Sequence, residues 1–137
     1  SRSDEIQAAA LRVKLPRLDI DNEHRRQIAR KYMNGIKNPM IILPLWPQDD
    51  QECVWHLFPI RCAERDSLQK YLSEAGVQTL IHYPIAPHKQ EALKHLEHGP
   101  LPLTQRIHEE ELSLPISPIM TEDDAEFVIN LLNKFVK

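Results

Sequence analysis

The sequence lacks the features that would place the chain in a membrane or on nucleic acid. No apolar run approaches the roughly 20 residues needed to cross a bilayer, and the acidic, polar start has no signal-peptide core. No block of basic residues could neutralise a row of phosphates, and the net charge is −3. We therefore predict a cytoplasmic protein that neither spans a membrane nor binds nucleic acid.

Cysteine is also scarce, and the two cysteines are placed where they cannot pair. Cys53 and Cys62 flank a single predicted strand. An extended chain rises about 3.3 Å per residue, which puts their Cα atoms far beyond the roughly 7 Å limit of a disulfide. Both are predicted to be reduced thiols. A chain of 137 residues with 42% hydrophobic content predicts one domain.

The N-terminal part of the sequence is predicted to be helical. From Asp4 to about Arg30, apolar residues recur at intervals of three and four. Ser3 or Asp4 can cap the start of this helix. The ring of Pro16 clashes with the preceding turn, so a long N-terminal helix that is kinked or broken near Pro16 is expected.

The remaining sequence alternates short extended segments with helices. Extended segments are predicted at 41–45, 53–61, 77–81 and 112–116, and helices at 66–75, 89–96, 104–112 and after the capping box at Thr121. Pro59 predicts an edge or a bulge at the end of its strand, and Gly76 a helix terminator. The charge runs Arg25–Arg26 and Glu109–Glu111 are interpreted as solvated helix faces. The pattern favours an α+β fold in which a short sheet of about three strands packs with helices.

The most informative segment is Gln78–Gln90, where an apolar strand ends in a proline-stiffened loop. Pro84 and Pro87 fix the backbone and remove two donors, so neither strand nor helix can continue through them. We expect His82, Tyr83 and His88 to be held out in the loop, where imidazole and phenol side chains can serve in binding. The alternative is that the two histidines only satisfy loop carbonyls.

This loop, with the stretches Val54–Arg61 and Arg65–Gly76, resembles the C-terminal segment of the DegT/DnrJ/EryC1/StrS aminotransferases. These are pyridoxal-phosphate enzymes that aminate nucleotide-linked sugars. Within the family, the sequence of these segments most resembles transaminases of dTDP-linked 3-keto-deoxysugars. The resemblance implies that residues 1–137 are one small C-terminal domain of a fold-type-I transferase. Residues 1–33 would be a linking helix region and 34–137 the α/β small domain, with the large cofactor-binding domain absent.

The resemblance also implies roles for particular residues. His82, Tyr83 and His88 would reach the sugar or diphosphate of the substrate, and Arg2 would lie near a cofactor or substrate phosphate, unless it is merely solvated at the chain end. The intact enzyme would be a homodimer that uses pyridoxal phosphate, takes nitrogen from glutamate and delivers it to a keto sugar. No catalytic residue is expected here, since no lysine of this chain resembles the Schiff-base motif. The chain alone is predicted to be inactive and to bind no cofactor.

Other interpretations of the sequence stay open. His88, Glu91, His95 and His98 could suggest a metal site, but they lack the order of known zinc motifs, and a solvated helix is favoured. The chain could instead be a stand-alone α+β ligand-binding or regulatory module, or a dimerisation domain built on the N-terminal helix. A separated domain is also predicted to self-associate through an exposed apolar face.

Overall fold

The N-terminal part of the chain is a helix interrupted at Pro16, as the sequence predicts. The computed structural model describes residues 4–93, 95–96 and 99–136. Helix α1 (Glu5–Lys14) leads through a single 3-10 turn (Leu15–Arg17) into α2 (Leu18–Gly35). Asp4 caps α1, because its Oδ1 accepts the backbone N–H of Ile6 at 2.8 Å.

Helix α1 contributes nothing to the core of this chain, whereas α2 does. Ile6, Val13 and Ile20 leave 78%, 77% and 69% of their surface exposed, and no residue of α1 is buried. The second half of α2 buries Ile28 and Tyr32. The helical period of the first 20 residues therefore marks an apolar face that the described residues leave uncovered.

The sheet has three antiparallel strands, β1 (Ile41–Ile42), β2 (Phe58–Cys62) and β3 (Glu111–Leu114), in the order β1-β2-β3. The predicted α+β architecture with about three strands is confirmed. The predicted bounds of the strands were wrong: β1 ends at Ile42 and not at 45, and β3 runs from Glu111 to Leu114 and not over 112–116. Strand β2 begins at residue 58 and not at 53, and the segment 77–81 forms only an isolated bridge between Leu80 and Ser113.

Pro59 lies in the central strand, yet at a place where its missing N–H is harmless. It faces Ser113 of β3. The N–H and C=O of Ser113 are both bonded to Leu80 on the other side of β3, so the pair Pro59–Ser113 exchanges no bonds. The nitrogen of Pro59 therefore points towards β1, which is too short to reach it. Pro59 is locally at an edge, as its chemistry requires.

The core lies between this sheet and helices α2, α3 (Arg65–Glu74) and α5 (Glu122–Lys134). Its fully buried large side chains are Ile28, Tyr32, Phe58, Ile60, Leu68, Leu72, Leu112 and Leu132. Trp55 is also buried in this core. Phe127 of α5 lies outside it and is half-exposed.

Local signals set most helix ends. The capping box at Thr121 and the left-handed Gly76 after α3 (φ +83°) are both confirmed. Helix α4 (Pro102–Glu110) starts earlier than predicted, because Pro102 occupies the first helical turn and Thr104 is not its cap. In the described part of the predicted helix 89–96 the chain forms 3-10 turns, at Pro87–Lys89 and Glu91–Leu93, and residue 94 lies outside the described residues. Within the described ranges, no helix has the length and apolar character that crossing a membrane requires.

Candidate functional site

The predicted loop is fixed at His82 by two polar residues of β3. The backbone N–H of His82 donates to Glu111 Oε2 at 2.8 Å, and the hydroxyl of Ser113 donates to Glu111 Oε1 at 2.6 Å. The imidazole Nδ1 of His82 lies 3.0 Å from Ser113 Oγ. Glu111 and Ser113 are only 7% and 5% exposed. Buried hydrogen bonds to a carboxylate are strong and costly to break, so the position of His82 is well defined.

Tyr83 is held by helix α4. Nδ1 of His108 lies 2.9 Å from the carbonyl oxygen of Tyr83, and Arg65 Nη1 donates to the carbonyl oxygen of His108 at 2.9 Å. Since a carbonyl oxygen only accepts, Nδ1 of His108 is the donor. The peptide bond between His82 and Tyr83 is cis. Helices α3 and α4 thus support the backbone at Tyr83.

The two side chains at this point of the loop lie together on the surface. The rings of His82 and Tyr83 are 5.5 Å apart and nearly perpendicular, at 81°. Tyr83 is 65% exposed and His82 is half-buried. Neither His82 Nε2 nor the Tyr83 hydroxyl has a hydrogen-bond partner among the described residues. An imidazole nitrogen and a phenol are therefore available to a ligand.

The other two predicted site residues are not part of this pair. His88 is half-buried in the turn Pro87–Lys89, further along the same loop. Arg2 lies outside the described residues, as does His98 of the weighed metal set. In the part of the chain that the structure describes, no three His, Cys, Asp or Glu side chains gather in a way that could hold a metal ion.

The interpretation of Glu109–Glu111 as a solvated helix face was wrong. Helix α4 ends at Glu110 and β3 begins at Glu111, so the run crosses from one element to the other. Glu110 is buried and accepts from Arg106 Nε at 2.7 Å and Arg61 Nε at 3.0 Å. The hydrogen bond from Arg106, with help from Arg61, lowers the pKa of Glu110.

The same interpretation was wrong for Arg26, which is 6% exposed. Its Nε donates to the carbonyl oxygens of Asp50 and Cys53, at 2.9 and 3.2 Å. Sequence reasoning also missed Glu111 and Ser113, although a usable signal was present. In Glu111-Leu112-Ser113-Leu114 polar and apolar residues alternate with the period of a strand, which puts Glu111 and Ser113 on one face.

The lysines of the described residues do not form a pyridoxal-phosphate site. A Schiff-base lysine is desolvated or has a lowered pKa. Lys14, Lys37, Lys70, Lys89 and Lys134 are exposed. Lys31 is ion-paired with Glu122 at 2.7 Å and Glu126 at 3.2 Å, and the hydrogen bond to Glu122 raises its pKa. The residues described here therefore do not fit the covalent attachment of this cofactor.

A groove of about 540 Å³ lies elsewhere on the molecule, between the end of α3 and the start of α5. Its lining includes Gln78, Pro115, Met120 and Phe127, but neither His82 nor Tyr83. Among the described residues, Tyr83 is open to solvent, so the candidate site lies on the surface.

Comparison with known proteins identifies the class to which this fold and loop belong. Residues 1–133 match the model of the DegT/DnrJ/EryC1/StrS aminotransferase family. The chain therefore belongs to this family, and the resemblance seen in the sequence is confirmed.

Three relatives show how similar this chain is to individual proteins in sequence and in structure. A dTDP-3-amino-3,6-dideoxy-alpha-D-galactopyranose transaminase of Aneurinibacillus thermoaerophilus is 50% identical over 135 residues, which is 98% of this chain and 37% of the relative. The crystal structure of S. venezuelae DesV in complex with a ketimine intermediate superposes with a TM-score of 0.89 at 37% identity, covering 99% of this chain and 38% of that one. Ntda from Bacillus subtilis with bound cofactor PMP gives a TM-score of 0.73 at 30% identity, covering 84% and 28%. The aligned part of the chain thus spans between 28% and 38% of the length of these three relatives.

Proposed function

We propose that this chain is the C-terminal small domain of a cytoplasmic, pyridoxal-phosphate-dependent transaminase that aminates a nucleotide-linked keto sugar. The substrate is a dTDP-3-keto-6-deoxyhexose, and glutamate supplies the nitrogen. Residues 1–33 form the linking helix region and residues 34–137 the small domain. The observation that carries the proposal is 50% identity, over 98% of this chain, to a transaminase of a dTDP-linked 3-amino sugar.

Within that enzyme, His82 and Tyr83 form one wall of the substrate pocket. Their backbones are fixed by Glu111 and His108, while their side chains are open to a ligand. A fixed backbone with available polar groups is what recognition of a sugar or a diphosphate requires. His88 extends the same wall, and Arg2 lies near a phosphate of the cofactor or the substrate.

This domain supplies binding and orientation, not the chemical step. Pyridoxal phosphate provides the electron sink in enzymes of this class, and its lysine must come from the rest of the full-length protein. The described lysines here are exposed or ion-paired, which supports the view that the chain alone is inactive.

A homodimer is the proposed assembly of the intact enzyme. The apolar face of α1 and the start of α2, with Ile6, Val13 and Ile20 each more than two-thirds exposed, is the kind of surface that another part of the enzyme or a second subunit covers.

The test of the substrate wall uses the full-length transaminase. His82→Ala and Tyr83→Phe are compared with His56→Ala, a control at an exposed histidine that lies outside this loop. Each lost hydrogen bond of about 1 kcal/mol corresponds to roughly a fivefold higher KM for the keto sugar. If both variants keep the KM and kcat of the control, the assigned role is wrong.

A second test concerns the cofactor and uses this chain alone. The chain is mixed with pyridoxal phosphate, its absorbance is recorded, and the mixture is reduced with borohydride before the lysines are mapped by mass spectrometry. We expect only scattered surface labelling. One stoichiometrically labelled lysine would overturn the proposal that the chain is catalytically incomplete.

A further inference from the structure

The contact between His82, Ser113 and Glu111 fixes more than the position of a loop. Both oxygens of Glu111 act as acceptors, one from the His82 backbone N–H at 2.8 Å and one from the Ser113 hydroxyl at 2.6 Å. A serine hydroxyl has a single hydrogen, and here Glu111 receives it. Towards the imidazole, the oxygen of Ser113 can therefore only accept.

It follows that Nδ1 of His82, 3.0 Å from Ser113 Oγ, carries a hydrogen. In the neutral imidazole the second ring nitrogen, Nε2, is then an acceptor without a hydrogen. If Nδ1 of His82 instead carried no hydrogen, it would have to accept one from the Ser113 hydroxyl, which would then point towards His82. This would leave Ser113 Oγ 2.6 Å from a carboxylate oxygen with no hydrogen between them, which is unfavourable in a buried place.

We propose that Glu111 and Ser113 are positioning residues that hold His82 in its Nδ1–H tautomer, so that Nε2 accepts a hydrogen bond from a hydroxyl group of the bound sugar. The inference rests on the proposed function, because it assumes that His82 faces the substrate. It adds to that function a preference for one kind of chemical group on the ligand. A neutral His82 with this tautomer recognises a hydrogen-bond donor, and so selects a hydroxyl over a phosphate oxygen.

The chain contains two internal references for the tautomer. Nδ1 of His108 lies 2.9 Å from the carbonyl oxygen of Tyr83, and Nε2 of His24 lies 2.7 Å from the carbonyl oxygen of Met120. Because carbonyl oxygens only accept, His108 is an Nδ1–H imidazole and His24 an Nε2–H imidazole when neutral. The two tautomers thus have known representatives in the same molecule.

The experiment is nitrogen-15 NMR of the labelled 137-residue chain at alkaline pH, well above the ordinary imidazole pKa of about 6.5. Couplings from the ring carbons tell which nitrogen carries the hydrogen. We expect His82 to give the pattern of His108 and the reverse of the pattern of His24. If His82 instead follows His24, the inference is overturned on the unmodified chain, whether or not any variant folds.

Two variants test the cause. Ser113→Ala removes the hydroxyl, so we expect His82 to lose its preference for Nδ1–H, whereas His108 and His24 keep their signals. Ser113→Thr retains a hydroxyl on a strand residue and is expected to restore the preference. An unchanged His82 pattern in Ser113→Ala would show that Ser113 does not set the tautomer.

Kinetics of the full-length enzyme separate this inference from the function on which it rests. We expect Ser113→Ala to raise KM for the keto sugar severalfold and Ser113→Thr to return it. If the tautomer is as stated but His82→Ala leaves KM and kcat unchanged, the proposed role of His82 fails and the tautomer assignment stands. If His82→Ala raises KM but His82 is an Nε2–H imidazole, the role stands and the tautomer inference fails.

Discussion

Replacing Arg26 by methionine is the most informative perturbation of stability, because Arg26 connects α2 to the loop before β2. Arg26 is 6% exposed, and its Nε donates to the carbonyl oxygens of Asp50 and Cys53. Methionine keeps much of the length and apolar stem of arginine but removes every donor. The two carbonyls then lose their charged partner in a poorly hydrated place.

The expected loss follows from those bonds. A hydrogen bond that involves a charged group contributes about 1.5–3 kcal/mol, and the carbonyls of Asp50 and Cys53 belong to half-buried residues that regain some water. We expect Arg26→Met to lower the free energy of unfolding by about 2–3 kcal/mol. Among the described residues the neighbouring Arg25 donates only to Asn22, at 3.1 Å, so Arg25→Met is expected to cost below about 1 kcal/mol.

Urea unfolding followed by tryptophan fluorescence measures the difference. With an m-value of about 2 kcal/mol/M, the midpoint of Arg26→Met is expected to fall by roughly 1–1.5 M. Trp46 donates from Nε1 to Asp50 at 2.8 Å and stacks on Trp55, so the signal comes from the loop concerned. Equal midpoints for the two methionine variants would refute the assignment of Arg26 as a buried connector.

Three further outcomes are expected. Gly76→Ala is expected to cost about 1–2 kcal/mol in urea unfolding because φ is +83°, whereas Gly99→Ala, in open space without a positive φ, is expected to be near neutral. Because the pKa of Glu110 is lowered in the folded chain, its ionised form stabilises the fold. This stabilisation is complete above the ordinary carboxyl pKa of 4.5, and it is lost as the pH falls through the lowered pKa. Glu110→Gln is therefore expected to flatten the acid limb of thermal stability, and the exposed control Glu109→Gln to leave it unchanged. Val13→Lys is expected to reduce concentration-dependent association in sedimentation velocity, and undiminished association would exclude the α1 face.

Features that depend on short-range chemistry could be predicted from the sequence. The break at Pro16, the capping box at Thr121 and the left-handed glycine at position 76 each need only a few neighbouring residues. Strand boundaries could not be predicted in this way. Residues 53–57 have the composition of a strand, but the partner strands reach only residues 58–62, so pairing ends there.

The loop of the candidate site could be predicted from the sequence, whereas the residues that hold His82 in place could not. The prolines at positions 84 and 87 indicated that His82 and Tyr83 lie in a loop, as they do in the structure, and the binding role of their side chains stays a prediction. The residues that hold His82 were missed because Glu111 was read as part of a solvated charge run. Its burial depends on a donor at position 82 that is remote in sequence and that only the fold brings near.

The burial of β3 explains how a small sheet can support such a site. All four residues of β3 are buried, with Leu112 and Leu114 in the core and Glu111 and Ser113 also covered. A strand with one solvated face would have left the polar pair in water, where its hydrogen bonds to His82 would contribute little and its geometry would vary. Because the loop covers that face, the cost of burying a carboxylate is offset by two donors in fixed positions. The same contacts that allow β3 to be buried therefore determine which nitrogen of His82 remains for a ligand.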